Sequence, residues 1–412
     1  MNRPRSTDFD VIVVGAGAIG LCLAALLVAR KLAAAGRVAV VADRFTEAPP
    51  SGADWDLRVF AISRASERLL RLCGAWDRLP SNRMFAYERM CVWDAAGSAE
   101  GPGSLTFDCA QIGEANLGYI VDGQALQWHC LEAARALGVV LIEGAVTGVA
   151  AGDEDVTLRL SDGRELRSTL LAGADGTDSK IRASVGIATA GHGYQQDALV
   201  AHVQTSRPHA NTAWQRFLST GPVAFLPLED GRSSIVWSVT RARAGELRAM
   251  NPQQFASALT EASGEALGQC TLTTPLASFP LKLQYAVDYA RPHVVLLGDA
   301  AHVVHPLAGQ GLNLGLLDCA ALAQVLEGAG GAQTYGDYKY LRSYERWRRS
   351  ENLLAAAALD GLERLFAGSD ALSAGLRFAG LSAVARLPLL KRNFARRALG
   401  LTGAVPEFLK AI

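Results

Sequence analysis

The sequence predicts an α/β fold: a Rossmann-like βαβ unit, interwoven with a second, strand-rich region and followed by a helical C-terminal segment. Three observations predict it. The opening stretch DFDVIVVGAGAIGLCLAALLVARKLAAAGRVAVVAD reads as strand, glycine turn, helix and second strand. The middle of the chain alternates apolar and polar residues between turn signals, as paired strands do. Residues 292–328 return to strand, turn and helix.

Taking the elements in order, Val11 to Ala29 carry no charge and superficially suit a membrane span or a signal peptide. Four β-formers followed by spaced glycines break that run into strand, turn and helix instead. The glycines are Gly15, Gly17 and Gly20, spaced GxGxxG. In this setting the first permits a sharp turn, the second lets backbone approach a pyrophosphate, and the third allows tight helix-to-strand packing. Ala18 then opens a helix whose N-terminus faces the phosphates, and Asp43, ending the second strand, is placed to accept from ribose hydroxyls. The pattern indicates a bound dinucleotide without saying which.

Further along, DVTLRLSDGRELRSTLLAGAD predicts a hairpin about Asp162-Gly163 whose second arm runs into Asp175. From about Gln195 to Val239, VAFLPL and SSIVWSV flank Glu229-Asp230-Gly231 and predict the larger part of a substrate-facing sheet, with Tyr194 and Arg216 as candidates for its face. The tail from about Tyr338 is helical in composition. Residues 371–412 hold seven basic side chains, Arg377, Arg386, Lys391, Arg392, Arg396, Arg397 and Lys410, against the single acid Glu407, which suits a surface resting on anionic lipid.

Composition narrows the functional classes. Basic and acidic residues number 40 each, so nothing overall points to nucleic acid. The seven cysteines are odd in number, scattered and never spaced CxxC, which argues against a disulfide framework or a zinc site and favours a reducing cytoplasm; no metal is expected. With 412 residues and no repeat or linker, two interlocked domains are the expected plan.

The choice between dinucleotides comes from LLGDAAHVVHPLAGQGLNLGLLD at 296–318, together with Asp175-Gly176-Thr177-Asp178-Ser179-Lys180-Ile181-Arg182. With the phrases DLRVFAIS, YERMCVWDAAG, LGYIVD, AWQRF and GPVAFLPLEDGRSSIVWS, these cover most of the chain, which resembles the FAD-dependent aromatic hydroxylases of ubiquinone biosynthesis.

The resemblance implies a Rossmann-like FAD-binding domain (1–75, 116–185, 286–350) interwoven with a β-sheet substrate domain (76–115, 186–285), and a C-terminal helical segment (351–412). It implies Asp299 on a flavin ribityl hydroxyl; Gly309, Gly311, Leu312 and Asn313 leading past the flavin ring; Asp175 joining flavin to pyridine-nucleotide access; and Arg58 near the flavin. Where relatives often carry Asn or Arg, this chain has Gly123, and Gln124 is the candidate substitute. Pro306 and His305 are carried as the catalytic candidates, although a structural role suits both His302 and His305 better than that of an essential base.

The activity implied is hydroxylation of a polyprenylated phenol with O₂ through a C4a-hydroperoxyflavin, NAD(P)H visiting as reductant because no second GxGxxG follows a strand. An unprenylated aromatic substrate is the alternative, and a flavin-binding scaffold without turnover a more distant one. Partners implied are the inner membrane surface, bound peripherally, or a quinone-biosynthesis complex.

Overall fold

The computed structural model describes residues 7–50, 52, 54–101, 103–304, 309–367 and 387–410. Strands β1 (Phe9–Val14) and β2 (Val38–Ala42) flank helix α1 (Ala18–Ala29) and pair in parallel, so the opening unit is the predicted βαβ crossover. The last four residues of β1 are all buried, as expected of a strand covered on both faces. Helix α1 is buried without a break from Gly20 to Leu27, and its 12 residues are far too few to span a bilayer. Among the described residues no helix is long and apolar enough to cross a membrane.

β1 lies centrally in a sheet where β8 (Val140–Glu143) pairs with β2, β11 (Glu165–Gly173) with β1, and β19 (Val294–Leu296) with β11, all in parallel; β18 (Ala290–Arg291) closes one edge antiparallel to β19. The hairpin about Asp162-Gly163 is β10 (Val156–Leu160) with β11, extended by β9 (Val146–Ala151). A three-stranded antiparallel sheet holds β3 (Val59–Ile62), β7 (Gly118–Asp122) and β4 (Met84–Tyr87), so Met84–Tyr87 pairs here rather than with the large sheet.

The large sheet runs through β20 (His302–Val303), β17 (Ala277–Ala286), β12 (Thr189–Thr205), β15 (Ser233–Thr240), β14 (Gly221–Pro227), β13 (Thr212–Leu218), β5 (Arg89–Asp94) and β6 (Ser104–Asp108), with β16 (Cys270–Leu272) beside β12. Strand alternation gives it two different faces. Leu199, Val203, Val223, Phe225, Ile235 and Trp237 pack beneath α6 (Arg241–Ala249) and α7 (Pro252–Ala262). The opposite face looks back toward the first sheet.

The helices that join the layers are α2 (Arg64–Leu72), α3 (Cys109–Ile112), α4 (Gly123–Ala136), α5 (Lys180–Ser184), α8 (Gln310–Glu327), α9 (Tyr338–Ala367) and α10 (Pro388–Ala398). Ala395 of α10 and Leu399 just beyond it pack on Cys109, Ile112 and Leu117, bringing the C-terminal segment against the edge of the small sheet. Of the basic tail, Arg377 and Arg386 lie outside the described residues.

One fully buried carboxylate ties these parts together. Asp318, on α8, accepts from Arg348 Nε at 2.7 Å and Asn352 Nδ2 at 3.1 Å, both on α9. Its other oxygen accepts from the Gly298 amide at 3.1 Å and lies 2.6 Å from His302 Nε2. Burial alone would push the Asp318 carboxyl up, but His302 and Arg348 hold it well below the usual carboxylate range. Because its folded-state value is depressed, its contribution to stability is present at neutral pH and is lost only as pH falls below the ordinary carboxylate range. His302 therefore has the structural role that suited it.

Asp318→Asn should destabilise the fold by about 3–5 kcal/mol, since Arg348 would keep its buried charge without a counter-ion. Denaturant unfolding followed by tryptophan fluorescence measures this, and an unchanged midpoint would refute the keystone role.

Candidate active site

Three loops converge on the carboxyl ends of the parallel strands. In the first, Gly15 leaves β1 at φ +113°, where a Cβ would stand 2.2 Å from the Ala174 carbonyl oxygen on the neighbouring strand's exit. At Gly20 a Cβ would fall 2.1 Å from the Gly15 carbonyl oxygen, whereas a Cβ at Gly17 would meet nothing within 4 Å. The motif thus separates into two glycines demanded by packing and one that faces open space. Gly17 is also the N-cap of α1, and no side chain caps it, so the first-turn amides beginning at Ala18 are directed at that space.

The second loop leaves β19 through Gly298, whose amide Asp318 holds, and presents Asp299 half-buried at the cavity wall. The third leaves β11 at Asp175. One Asp175 oxygen accepts from the Ile181 amide at 3.1 Å; the other is buried and has no hydrogen-bond partner among the described residues. Arg182 bridges the second and third loops, donating to the Ala300 and Thr177 carbonyls, each at 2.9 Å. Two segments that the sequence separates by more than a hundred residues are thereby held in fixed relation.

Helix α8 follows Gly309, a left-handed N-cap that has no side-chain cap among the described residues, so a second helix N-terminus enters the site. The Asn313 amide is consumed by the protein: Oδ1 accepts from the Ser63 amide at 2.9 Å and Nδ2 donates to the Ala61 carbonyl at 2.8 Å. It fastens the start of α8 to the β3–α2 connection. Arg58 is exposed at the cavity rim with its guanidinium 5.0 Å from the Phe60 ring centroid. Its loop is anchored by Arg232 on Asp54, Nη1 to Oδ2 at 3.0 Å, and by the Asp56 amide on Asp122 at 2.8 Å; the hydrogen bond from Arg232 holds the Asp54 carboxyl down to about 2.

These elements enclose a cavity of about 990 Å³. Gly17, Ala18, Arg58, Asp299, Gly309, Gly311, Leu312 and Asn313 line one end, and the inner face of the large sheet, with Val92, Ala224 and Leu226, lines the other. Tyr87 lies on the wall, its phenol pushed up to about 12 by burial.

Of the residues singled out in the sequence, Gly15 and Gly20 shape the turn from behind, and Asp43 is exposed just beyond β2. Asp175 sits behind its neighbours Ala174 and Gly176, which line the cavity. Gln124 does not reach the cavity. Gln127, one turn further along α4, lines it and donates to the Ala16 carbonyl at 2.8 Å. Helical spacing from Gly123 was the available signal, since positions four apart share a face. Nor is a side chain missing at Gly123, where a Cβ would stand 2.4 Å from the Arg58 carbonyl oxygen. Arg216 points to the far face of its sheet and caps the end of α7 through the Glu261 and Ala262 carbonyls, while Tyr194 packs edge-on against His192. His305 and Pro306 lie outside the described residues.

An open glycine at a helix N-terminus, a second helix N-terminus led in by Gly309, and Asp299 on the wall make a cradle that fits a dinucleotide of the FAD type.

Comparison with known proteins agrees with that fit. Residues 8–352 match the family described as FAD binding domain. The chain is 34% identical to 3-demethoxyubiquinol 3-hydroxylase of Escherichia coli (strain K12), over 95% of this chain and 98% of that protein. It is 36% identical to ubiquinone hydroxylase UbiL of Rhodospirillum rubrum, over 97% and 91%. Among solved structures, p-nitrophenol 4-monooxygenase PnpA of Pseudomonas putida DLL-E4 superposes with a TM-score of 0.73 at 20% identity, covering 96% of this chain and 99% of that one, a likeness of fold.

Two alanine variants should separate cofactor space from packing. Gly17→Ala is expected to fold normally and to bind FAD about tenfold or more weakly, because the methyl occupies the phosphate approach. Gly20→Ala should cost about 3 kcal/mol or more of stability through overpacking against backbone. Flavin fluorescence titration and thermal melting read the two effects, and equal behaviour of the variants would contradict the division.

Proposed function

This chain belongs to the family of FAD-dependent aromatic hydroxylases that its ubiquinone-pathway relatives represent, and from that premise we propose that it hydroxylates the aromatic ring of a polyprenylated phenol in ubiquinone biosynthesis. The observation that carries this reading is the cavity itself: the cofactor cradle opens directly onto an apolar sheet face. The side chains that β5, β6, β13, β14 and β15 present there are mainly Val, Leu, Ala, Met and Phe, which suits an apolar substrate, and the cation that the sheet adds to the wall is Lys282 of β17.

In this reading Gly17 and Ala18 receive the pyrophosphate, Asp43 the adenosine ribose, and Asp299 a ribityl hydroxyl, with Gly15, Gly20 and Asp175 shaping the two turns behind them. The N-terminus of α8, from Gly309 to Leu312, offers its dipole to the negative charge of the reduced ring, an effect worth up to about 2 kcal/mol. FAD when bound supplies the activation of O₂ and the transfer of one oxygen atom to the ring. The protein's part is to hold the phenol beneath the cofactor and to exclude water from the apolar end. NAD(P)H is the proposed transient reductant, entering near Arg58 at the rim, and His305 and Pro306, which precede α8 in the sequence, remain the proposed catalytic candidates.

Peripheral attachment to the cytoplasmic side of the membrane completes the reading, since a polyprenylated phenol resides in lipid. Helix α10 supports it: Phe394 is 53% exposed at the cavity rim, Leu387 is 52% exposed just before the helix, and Arg392 and Arg397 are exposed, Arg397 reaching Glu351 of α9 at 3.4 Å.

Deleting the gene should leave a quinone precursor one hydroxyl short, identified by mass spectrometry; an unchanged quinone pool in a strain without a redundant hydroxylase would refute the assignment. Purified protein should co-sediment with anionic but not neutral liposomes, less so as salt is added. Charge reversal at Arg392, Arg396 and Arg397 should abolish sedimentation with FAD still bound, and equal sedimentation by the triple variant would refute α10 as the attachment surface.

A further inference from the structure

Where β5, β6, β13, β14 and β15 line the cavity, their inner-face side chains are apolar except for Gln215. Reading across the strands, Leu105, Val92, Gln215, Ala224, Val236 and Val200 stand directly opposite one another in sequence from β6 to β12. The row on one side carries Phe107, Met90, Ala213 and Leu226 and ends, beyond the cavity lining, in the buried Ser234 and His202. Gln215 is therefore a carboxamide set between valine and alanine on a hydrophobic floor. It is 6% exposed and lines the cavity, and among the described residues its amide has no hydrogen-bond partner.

The residue is largely buried, yet its amide is not sealed in the protein, so the hydrogen bonds it needs are left to whatever occupies the cavity. Its strand neighbours Trp214 and Arg216 point to the other face, where the Trp214 indole nitrogen donates to the His209 carbonyl and Arg216 caps α7. Of the three, Gln215 is the one whose side chain lies on the cavity face of the strand. The small Ala224 beside it leaves room above the amide for a ligand.

We propose that Gln215 is the residue that orients the substrate ring, its carboxamide hydrogen-bonding the phenol oxygen of the molecule being hydroxylated. The inference rests on the phenol-hydroxylase reading and names the contact that reading lacks. A carboxamide suits the task because it serves both forms of the substrate: Oε1 accepts from a phenol O–H, and Nε2 donates to a phenoxide. The amide itself gains and loses no proton. On an otherwise apolar floor, this one polar contact fixes which ring carbon faces the flavin end of the cavity, while the prenyl tail finds no competing partner among the aliphatic side chains around it.

The test uses the FAD-loaded full chain, Gln215→Met, Gln215→Asn, and two ligands: a short-chain prenylated phenol and the same molecule with hydrogen in place of the hydroxyl. Binding is read from the perturbation of flavin absorbance. Gln215→Met should weaken the phenol about tenfold, equivalent to about 1.4 kcal/mol, and leave the deoxy ligand unchanged. Gln215→Asn, which keeps a shorter carboxamide, should recover part of the loss. With NAD(P)H and O₂, the methionine variant should release more peroxide and less hydroxylated product per reductant consumed. Its melting temperature should hold or rise, since a structural amide would destabilise on removal whereas an unsatisfied one does not. Equal loss for both ligands, no loss for the phenol, or a lower melting temperature would overturn the proposal. Failure of the wild type to bind or hydroxylate any prenylated phenol would instead overturn the functional reading, and this inference with it.

Discussion

The arrangement of this protein depends on a carboxylate that never meets water. Asp318 is fully buried, and a lone charge there would be prohibitively costly. The structure resolves that cost with four hydrogen-bonding groups drawn from separate parts of the chain: the Gly298 amide, His302, Arg348 and Asn352. Each is placed by its bond to Asp318, so the turn carrying Asp299, the start of β20 and the middle of α9 are mutually located. Arg182 carries the same rigidity to the Asp175 loop. The cofactor cradle is thus defined by long-range polar contacts buried beneath it rather than by its own loops, which is how irregular backbone is held in one conformation without a ligand.

Two kinds of surface meet in the cavity, and their difference follows from how each is built. At the cofactor end, backbone groups dominate: the N-termini of α1 and α8, which lack side-chain caps among the described residues, and glycines that let main chain come close. Such groups present fixed partial charges suited to phosphates and to a ring that alternates in charge. At the substrate end, side chains of a mostly antiparallel sheet supply area with little polarity, the sheet's other face being satisfied by α6 and α7. An apolar floor binds a greasy ring loosely in orientation, and so any single polar group upon it has a large influence on pose.

Much of this was legible in order along the chain. The βαβ unit, the GxGxxG turn, the hairpin about Asp162-Gly163 and the strands around Glu229-Asp230-Gly231 are local patterns, set by residue spacing and by the steric needs of glycine. Identifying the dinucleotide needed resemblance as well, because the glycine pattern serves more than one. The roles of particular side chains were less legible. Asn313 reads as a cofactor contact but spends its amide on Ala61 and Ser63, and Gln124 reads as a substitute at a position where Gln127 is the residue that faces inward.

What the sequence by itself determined was which segments would be strand, turn or helix, and that phosphates would find a glycine-lined helix start, since both follow from contacts within a few residues. What only the tertiary structure decided was direction. Gln215 and Arg216 are adjacent and both polar, and strand alternation guarantees only that they point oppositely. Which of them enters the cavity depends on which face α6 and α7 cover. Likewise, nothing local marks Asp318 as a keystone. Its partners lie on α9, in the turn at Gly298 and at His302, and a buried charge is specified only when chain folding brings its counter-groups to it.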